Sequence, residues 1–323
     1  MTLSPVSGKT TQDAMRKVFS RPLFTAFLLL FLAASVTVPI HNTLQAEQKK
    51  IILQHADTIE GSESEGGRYR SVIGNVEFQD GTLTLRCDRA TSYEQEHKIV
   101  IGGNIIITDT AFAIYGDSGV YFTDKQAGEI NGNVRGRMLD NSLFGKSRRA
   151  VINKAKGQVW LYDDAIAWHQ QQQMSGDIIL LHFTESVSSK KQNIDEIQVH
   201  NNAFFASADT LSRSPIVYDQ FSGKKMIIRI INGSQIAGIT VTGQAESLYH
   251  LYNEKQQPSG INYSSGDMIR LFFSNGNLNW VKVTGNVEGK QYPESFRGDK
   301  GVNLSKFAWR ERENPFRQQK SLP

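Results

Sequence analysis

The residues that could carry out chemistry are few and scattered. The tetrapeptide Gly116-Asp117-Ser118-Gly119 has the composition of a nucleophilic serine motif, in which a histidine and an acid would activate the hydroxyl. Val120 follows where such a motif usually continues with a second glycine, and no histidine or acid is recognisable as a partner. The tetrapeptide also falls inside a sequence repeat, described below, so we predict no catalytic site.

Metal ligation and acid–base catalysis are not indicated either. The chain has seven histidines, and no two of them have the spacing of a metal-ligand pair. The single cysteine, Cys87, cannot form an internal disulfide, and its spacing from Leu83 and Leu85 predicts a buried strand residue. Asp163-Asp164 is typical of a turn. We therefore predict no enzyme activity, no metal and no cofactor.

The composition is that of a globular protein, with 21% charged and 39% hydrophobic residues. The formal net charge is +4, and residues 1–46 carry +3 of it. Because the rest of the chain is almost neutral, its basic character is no evidence for nucleic-acid binding, and we predict none.

An apolar stretch lies near the N-terminus, at residues 22–40, directly after Arg21. Positive charge on that side orients the N-terminal end towards the cytoplasm. Two interpretations are open. The stretch is either a signal peptide cleaved after Ser35 or Ala46, or an uncleaved anchor, because at about 1.5 Å per residue it reaches roughly 28 Å, one hydrocarbon core. Both predict a periplasmic location for residues 47–323, as a soluble or an anchored protein.

The most informative feature is an internal repeat. Gly74-Asn75-Val76 recurs as Gly103-Asn104-Ile105 and again as Gly132-Asn133-Val134, at intervals of 29 residues. Self-similarity at a fixed period is the signature of stacked structural units.

The same register extends beyond the triplets. Cys87-Asp88 matches Gly116-Asp117 and then Gly145-Lys146. Apolar residues such as Leu83 and Leu85 lie two apart with polar residues between them, which sends one set of side chains to each face of a strand. Gly-Asn, Asp-Gly and Asn-Gly pairs favour turns between these strands. We predict two to three short strands per copy, stacked edge to edge, although a series of unrelated hairpins in a sandwich has a similar pattern.

The repeat becomes less regular after about residue 157. The predicted organisation is a signal peptide or anchor over 1–46, β-repeats over 47–210, a continuation or a second unit over 211–299, and a charged mobile tail over 300–323.

The motif G-N-V, followed by alternation and then by Asp88, Ala90 and Tyr93, resembles the OstA-like family of lipopolysaccharide-transport proteins, which includes LptA, LptC and the N-terminal domain of LptD. The segment 74–134 carries most of this resemblance. The C-terminal stretch, from 224 to 293, is similar to longer OstA-like proteins.

The resemblance implies an all-β fold, an elongated open β-jelly roll built from the stacked repeats. It further implies a periplasmic protein that shields the lipid A acyl chains of lipopolysaccharide in an apolar groove, without enzyme activity. Its implied protein partners are other Lpt-type jelly-roll proteins, or copies of itself, joined by strand edges into a bridge from inner to outer membrane. The physics agrees, since open strand edges pair with other strands and each buried CH₂ contributes about 0.8 kcal/mol.

The register of the repeat selects the side chains that would line such a groove. The candidates occupy the inward offsets of the three copies, and the same residues could instead fill an ordinary dry core. They are Val76, Phe78, Leu83, Leu85, Ile105, Ile107, Phe112, Ile114, Val134 and Leu143.

Two other functions compete with lipid transport. A structural or adhesive β-solenoid of the cell envelope would have a closed core and no ligand. A polysaccharide lyase of the envelope would need clustered carboxylates or basic residues on one sheet face, which the sequence does not contain.

Overall fold

The computed structural model describes residues 51–64, 67–185, 192–211, 214–232, 235–274 and 277–317. The predicted signal peptide or anchor at 22–40 lies outside the described residues. The described residues form an all-β fold, as predicted, and the regular elements other than strands are three short 3₁₀ helices, Glu294–Phe296, Lys300–Val302 and Glu311–Glu313. Within these ranges no helix is long and apolar enough to cross a membrane.

Sixteen strands follow one another in the described residues. They are β1 (Ile52–His55), β2 (Thr58–Ser64), β3 (Gly67–Asp80), β4 (Leu83–Tyr93), β5 (Lys98–Thr108), β6 (Phe112–Phe122), β7 (Ala127–Met138), β8 (Phe144–Asn153), β9 (Gln158–His169), β10 (Gln172–Glu185), β11 (Gln192–Ala208), β12 (Tyr218–Ile231), β13 (Gln235–Tyr252), β14 (Pro258–Ser274), β15 (Asn277–Thr284) and β16 (Glu288–Tyr292).

The strands form one open antiparallel sheet in which each strand from β3 to β14 pairs with its neighbours in sequence. At one edge β1 and β2 pair with different halves of β3, and at the other β15 and β16 pair with different halves of β14. The sheet continues past residue 210, because β11 before it and β12 after it pair with each other in both walls.

Each strand from β3 to β14 turns a corner near its middle. The ladder between β3 and β4 skips from Ile73 to Val76, and the ladder between β5 and β6 skips from Gly102 to Ile105. The skipped residues on the odd-numbered strands, and in the β15–β16 connection, are pairs with positive φ. These pairs are Gly74-Asn75, Gly103-Asn104, Gly132-Asn133, Asp163-Asp164, Asn201-Asn202, Gly243-Gln244 and Gly285-Asn286. Two consecutive left-handed residues opposite one bulged residue bend a strand without ending its pairing.

The corners divide the sheet into two walls that face each other. Wall A contains the strand halves 58–64, 67–73, 89–93, 98–102, 118–122, 127–131, 149–153, 158–162, 178–185, 192–200, 225–231, 235–242, 268–274 and 277–284. Wall B contains 52–55, 76–80, 83–87, 105–108, 112–116, 134–138, 144–147, 165–169, 172–176, 203–208, 218–223, 245–252, 258–266 and 288–292. Phe112 of wall B packs on Phe183 of wall A, with ring centroids 5.2 Å apart. The apolar inner faces of both walls join in a single core.

The third repeat differs from the predicted register by two residues. The bulged residue of β8 is Arg148, because the ladder with β7 skips from Ser147 to Arg149. The equivalents of Cys87-Asp88 are therefore Ser147-Arg148, and the predicted match to Gly145-Lys146 is wrong. The connection between β7 and β8 is longer than the two before it, since it includes residues 139–143, and this shifts everything that follows.

The C-terminal residues also differ from the prediction of a charged mobile tail over 300–323. Residues 293–317, here called the return segment, run back across the outer face of wall B. Leu304 is buried there against Phe204, Leu248 and Ile261. Residues 318–323 lie outside the described residues.

Two buried glutamines hold the backbone of the return segment. Gln173 donates to the carbonyl of Ala308 at 2.8 Å and accepts from the amide of Arg310 at 2.6 Å. Gln220 accepts from the amide of Leu304 at 2.9 Å. Because both glutamines are almost fully buried, these bonds satisfy groups that would otherwise be unpaired.

Candidate functional site: the apolar interior and its mouth

The structure brings all ten predicted groove residues together. Val76, Phe78, Leu83, Leu85, Ile105, Ile107, Phe112, Ile114, Val134 and Leu143 are all buried and belong to one hydrophobic cluster. They lie on or next to wall B, at its N-terminal end, where alternation turns them towards wall A. Their burial places them in the interior, and the lining of a lipid groove by these residues stays a prediction.

Sequence reasoning missed the opposite side of the interior. The inner face of wall A contributes Val72, Ile99, Ile101, Ile130 and Leu161 to the same cluster. The signal that could have found them is the period-two spacing before each Gly-Asn pair, for example Ile99 and Ile101 ahead of Gly103.

The interior opens at the N-terminal edge into a cavity of about 530 Å³, which we call the mouth. Its apolar lining comes from both walls, with Leu53 and Phe78 on one side and Val72 and Ile99 on the other. Phe78 is one of the ten predicted residues. A volume of this order is typical of a small-molecule site.

The rim of the mouth carries charges of both signs. Arg70 lies 3.9 Å from Glu94, and Lys98 lies 2.5 Å from Glu96. The Lys98 ammonium also lies 4.9 Å from the centre of the Tyr93 ring. An amphiphile entering here would meet an apolar floor and a polar rim.

Further along, a buried polar group joins the free ends of the two walls. Asp80, at the end of β3, is 2% exposed. Lys154, from the β8–β9 turn, approaches its carboxylate at 3.0 Å, and the Tyr121 hydroxyl donates to it. Burial, together with this bond to Asp80, raises the pKa of Tyr121 well above its usual value. These three residues close the interior beyond the mouth, and we call them the clasp.

Beyond the clasp the interior is closely packed. A cavity of about 30 Å³ lies between Phe112, Leu143 and Leu181, and one of about 20 Å³ lies near Leu83. Ile130, Ile197 and Val241 have no exposed surface. Of these three interior cavities, the mouth is the one with the volume of a small-molecule site.

The chemical motifs of the sequence have structural roles. In Gly116-Asp117-Ser118-Gly119, Asp117 is the bulged corner residue of β6 and accepts a hydrogen bond from Asn133 at 2.7 Å. Burial raises the pKa of the Cys87 thiol to about 11, which suppresses its reactivity. In the described parts of the chain, no three His, Cys, Asp or Glu side chains are grouped so that they could hold a metal ion.

Comparison with known proteins identifies the segment that builds the mouth. Residues 48–149 match the model of the OstA-like protein family. This segment is OstA-like. It spans β1 to most of β8 and includes all ten predicted groove residues, so the predicted family resemblance is confirmed there. The OstA-like family is a transport family without enzyme activity, in agreement with the absence of a catalytic motif from the sequence.

Two further comparisons complete the picture. No curated protein matches the chain significantly. Among solved structures, LptH of Pseudomonas aeruginosa, the LptA-homologous periplasmic component of its lipopolysaccharide transport device, is similar, with 15% identity over 42% of this chain and 76% of that chain. The TM-score is 0.20, so the description of the OstA-like segment rests on the family match and on the geometry.

Proposed function

We propose that this chain is a periplasmic lipid-transport protein that shields the acyl chains of lipopolysaccharide between its two walls. The observation that carries the proposal is the mouth, a cavity of about 530 Å³ that lies within the OstA-like segment. Its apolar floor is the solvent-facing end of the hydrophobic cluster that joins the two walls. Burial of an acyl chain there would contribute about 0.8 kcal/mol per CH₂.

The open edges of the sheet support a role in a larger assembly. β1 and β2 at one edge, and β15 and β16 at the other, each have one side without a strand partner among the described residues. Such edges pair with strands of another chain. In this proposal, Lpt-type partners or copies of the same chain extend the apolar path between the membranes.

A substitution at the mouth tests lipid binding directly. Leu53→Gln places a polar group on the apolar floor, whereas Ile59→Gln changes a residue of β2 that is 59% exposed. We expect the dissociation constant of the purified full chain for lipopolysaccharide to rise at least tenfold with Leu53→Gln and to stay unchanged with Ile59→Gln. Equal binding by both variants, with unchanged melting temperatures, would exclude the mouth as the lipid site.

The close packing beyond the clasp favours a second candidate, a structural β-solenoid of the cell envelope without a ligand. In that case lipopolysaccharide binds neither variant nor the unsubstituted chain. The two candidates are therefore separated by the same titration.

A further inference from the structure

A second cavity, of about 650 Å³, lies on the opposite face of wall B from the interior. We call it the outer pocket. The corners of β11 to β14 form one side of it, and Ser305 and Lys306 of the return segment form the other side. Lys306 donates a hydrogen bond of 2.6 Å to the side chain of Asn202, which connects the two sides. No residue that lines the outer pocket also lines the mouth.

A carboxylate on the floor of the outer pocket is held in place by two donors. Ser222 donates to one oxygen of Glu246 at 3.1 Å, and the Tyr263 hydroxyl donates to the other at 2.9 Å. Burial and this bond raise the pKa of Tyr263. Since a carboxylate oxygen can accept a second bond, Glu246 is oriented and still able to bind a ligand donor.

Three other side chains of the outer pocket are without a hydrogen-bond or ion-pair partner among the described residues. The side chains of Lys224, Gln244 and Glu288 make no hydrogen bond or ion pair with any described residue. They supply donors and acceptors side by side around the oriented Glu246. This mixture fits a ligand whose groups both donate and accept.

Lys224 is a departure from the repeat that gives the pocket one of its two lysines. It is the bulged residue of β12, in the position that Asp88, Asp117 and Asp267 occupy at other corners. A Cβ on Gly243 would lie 3.0 Å from the Lys224 Cβ and 3.1 Å from its Cδ, so the lysine stem runs over this glycine. At this corner, the Lys224 ammonium group therefore takes the place of the Asp–Asn hydrogen bond found at other corners.

The charge of the outer pocket argues against a strongly charged ligand. Two lysines face three carboxylates, those of Glu246, Asp267 and Glu288, so neither a polyanion nor a polycation would be favoured. Among the described residues these carboxylates form no metal-binding group. Sugar hydroxyls donate to carboxylates and accept from ammonium and amide groups. We propose that the outer pocket binds an oligosaccharide, either free or as the sugar part of a glycolipid.

Titration of the full chain with an acyl-free oligosaccharide released from lipopolysaccharide by mild acid tests this. We expect saturable binding by calorimetry, weakened at least tenfold in the double variant Glu246→Gln/Glu288→Gln. Lys282→Met, which removes an exposed lysine of β15 outside the pocket, should bind as the unsubstituted chain does. Absence of saturable binding, or equal affinity of the double variant and the unsubstituted chain, would overturn the proposal.

Intact lipopolysaccharide distinguishes the two sites and the two sources of sugar. If the sugar comes from the carried lipid, the double variant also binds intact lipopolysaccharide more weakly. If the glycan is a separate ligand, only the acyl-free probe is affected. Leu53→Gln should leave binding of the acyl-free probe unchanged, so that failure of the mouth proposal and failure of the pocket proposal give different patterns.

Discussion

The side-chain amide of Asn104 lies 2.9 Å from the carboxylate of Asp88 and donates a hydrogen bond to it across the corner of the sheet. Asn133 makes the same contact with Asp117 at 2.7 Å, and Asn286 reaches Asp267 at 3.2 Å. The repeated Gly-Asn pair of the sequence is therefore a bracket that ties the bend of one strand to the bend of the next.

The glycine of each bracket leaves room for the aspartate. Gly103 has a φ of +77°, and a Cβ at this position would collide with the Asp88 carboxylate. We expect Gly103→Ala to lower the free energy of unfolding by about 1–3 kcal/mol, because it combines backbone strain with the loss of this contact. Urea denaturation measures the change. Gly61→Ala is the matched control, since nothing lies within 4 Å of its added Cβ, and a similar loss there would contradict the explanation.

The clasp makes a different prediction, because its carboxylate is buried. Lys154→Met would leave Asp80 without its cation, and we expect a loss of about 3 kcal/mol in the free energy of unfolding. The comparison is Arg86→Met, which breaks the exposed pair with Glu77, at 2.8 Å, and should cost at most about 1 kcal/mol. Chemical denaturation measures the free energy of unfolding of both variants. Equal losses would show that the clasp stabilises the fold no more than a surface ion pair does.

Acid should release the end of the return segment. Hydrogen bonds from Arg310 and Lys146 lower the pKa of Glu313 from 4.5 to about 2. A carboxyl group whose pKa is lower in the folded state stabilises the fold at pH values above its ordinary pKa. This contribution is lost as the pH falls to the lowered pKa. We therefore expect the rate of pepsin cleavage near Trp309 to rise as the pH falls from about 4.5 to 2.

Glu313→Gln provides the control for this acid dependence. The variant lacks the carboxylate, so its return segment should be cleaved faster at the upper end of this range and change less with pH. Identical cleavage profiles for the variant and the unsubstituted chain would show that Glu313 does not hold the segment.

Cys87 should be protected from thiol reagents. It is 5% exposed, and its pKa of about 11 keeps it protonated near neutral pH. We expect negligible labelling by a disulfide reagent at pH 8 in the folded chain and complete labelling in urea. A Cys87→Ala/Arg86→Cys variant, whose new thiol faces solvent, should react at once, and rapid reaction of native Cys87 would contradict its burial.

The repeat made much of the fold predictable, and the corners show why part of it was not. Gly74-Asn75 and its copies read as turns between strands, because glycine and asparagine tolerate positive φ. In the structure they bend a strand that continues on the other wall. The distinction depends on the single bulged residue of the neighbouring strand, such as Asp88, which local patterns do not reveal.

The return segment was misread for a similar reason. Its charged composition is typical of a mobile tail, yet Leu304, Phe307 and Trp309 pack on wall B and its backbone bonds to Gln173 and Gln220. These contacts join residues that are far apart in the chain. The apolar and aromatic residues within the charged stretch were the available signal.

Photo-crosslinking in cells tests the central claim most directly. A photoreactive residue would replace Phe78 or Ile99, which face the mouth from the two walls, with Thr84 on the outer face of wall B as the control. Lipid transport through the mouth predicts lipopolysaccharide adducts at Phe78 and Ile99 and none at Thr84. No adduct at either mouth position in a folded, exported protein, or equal adducts at Thr84, would contradict it.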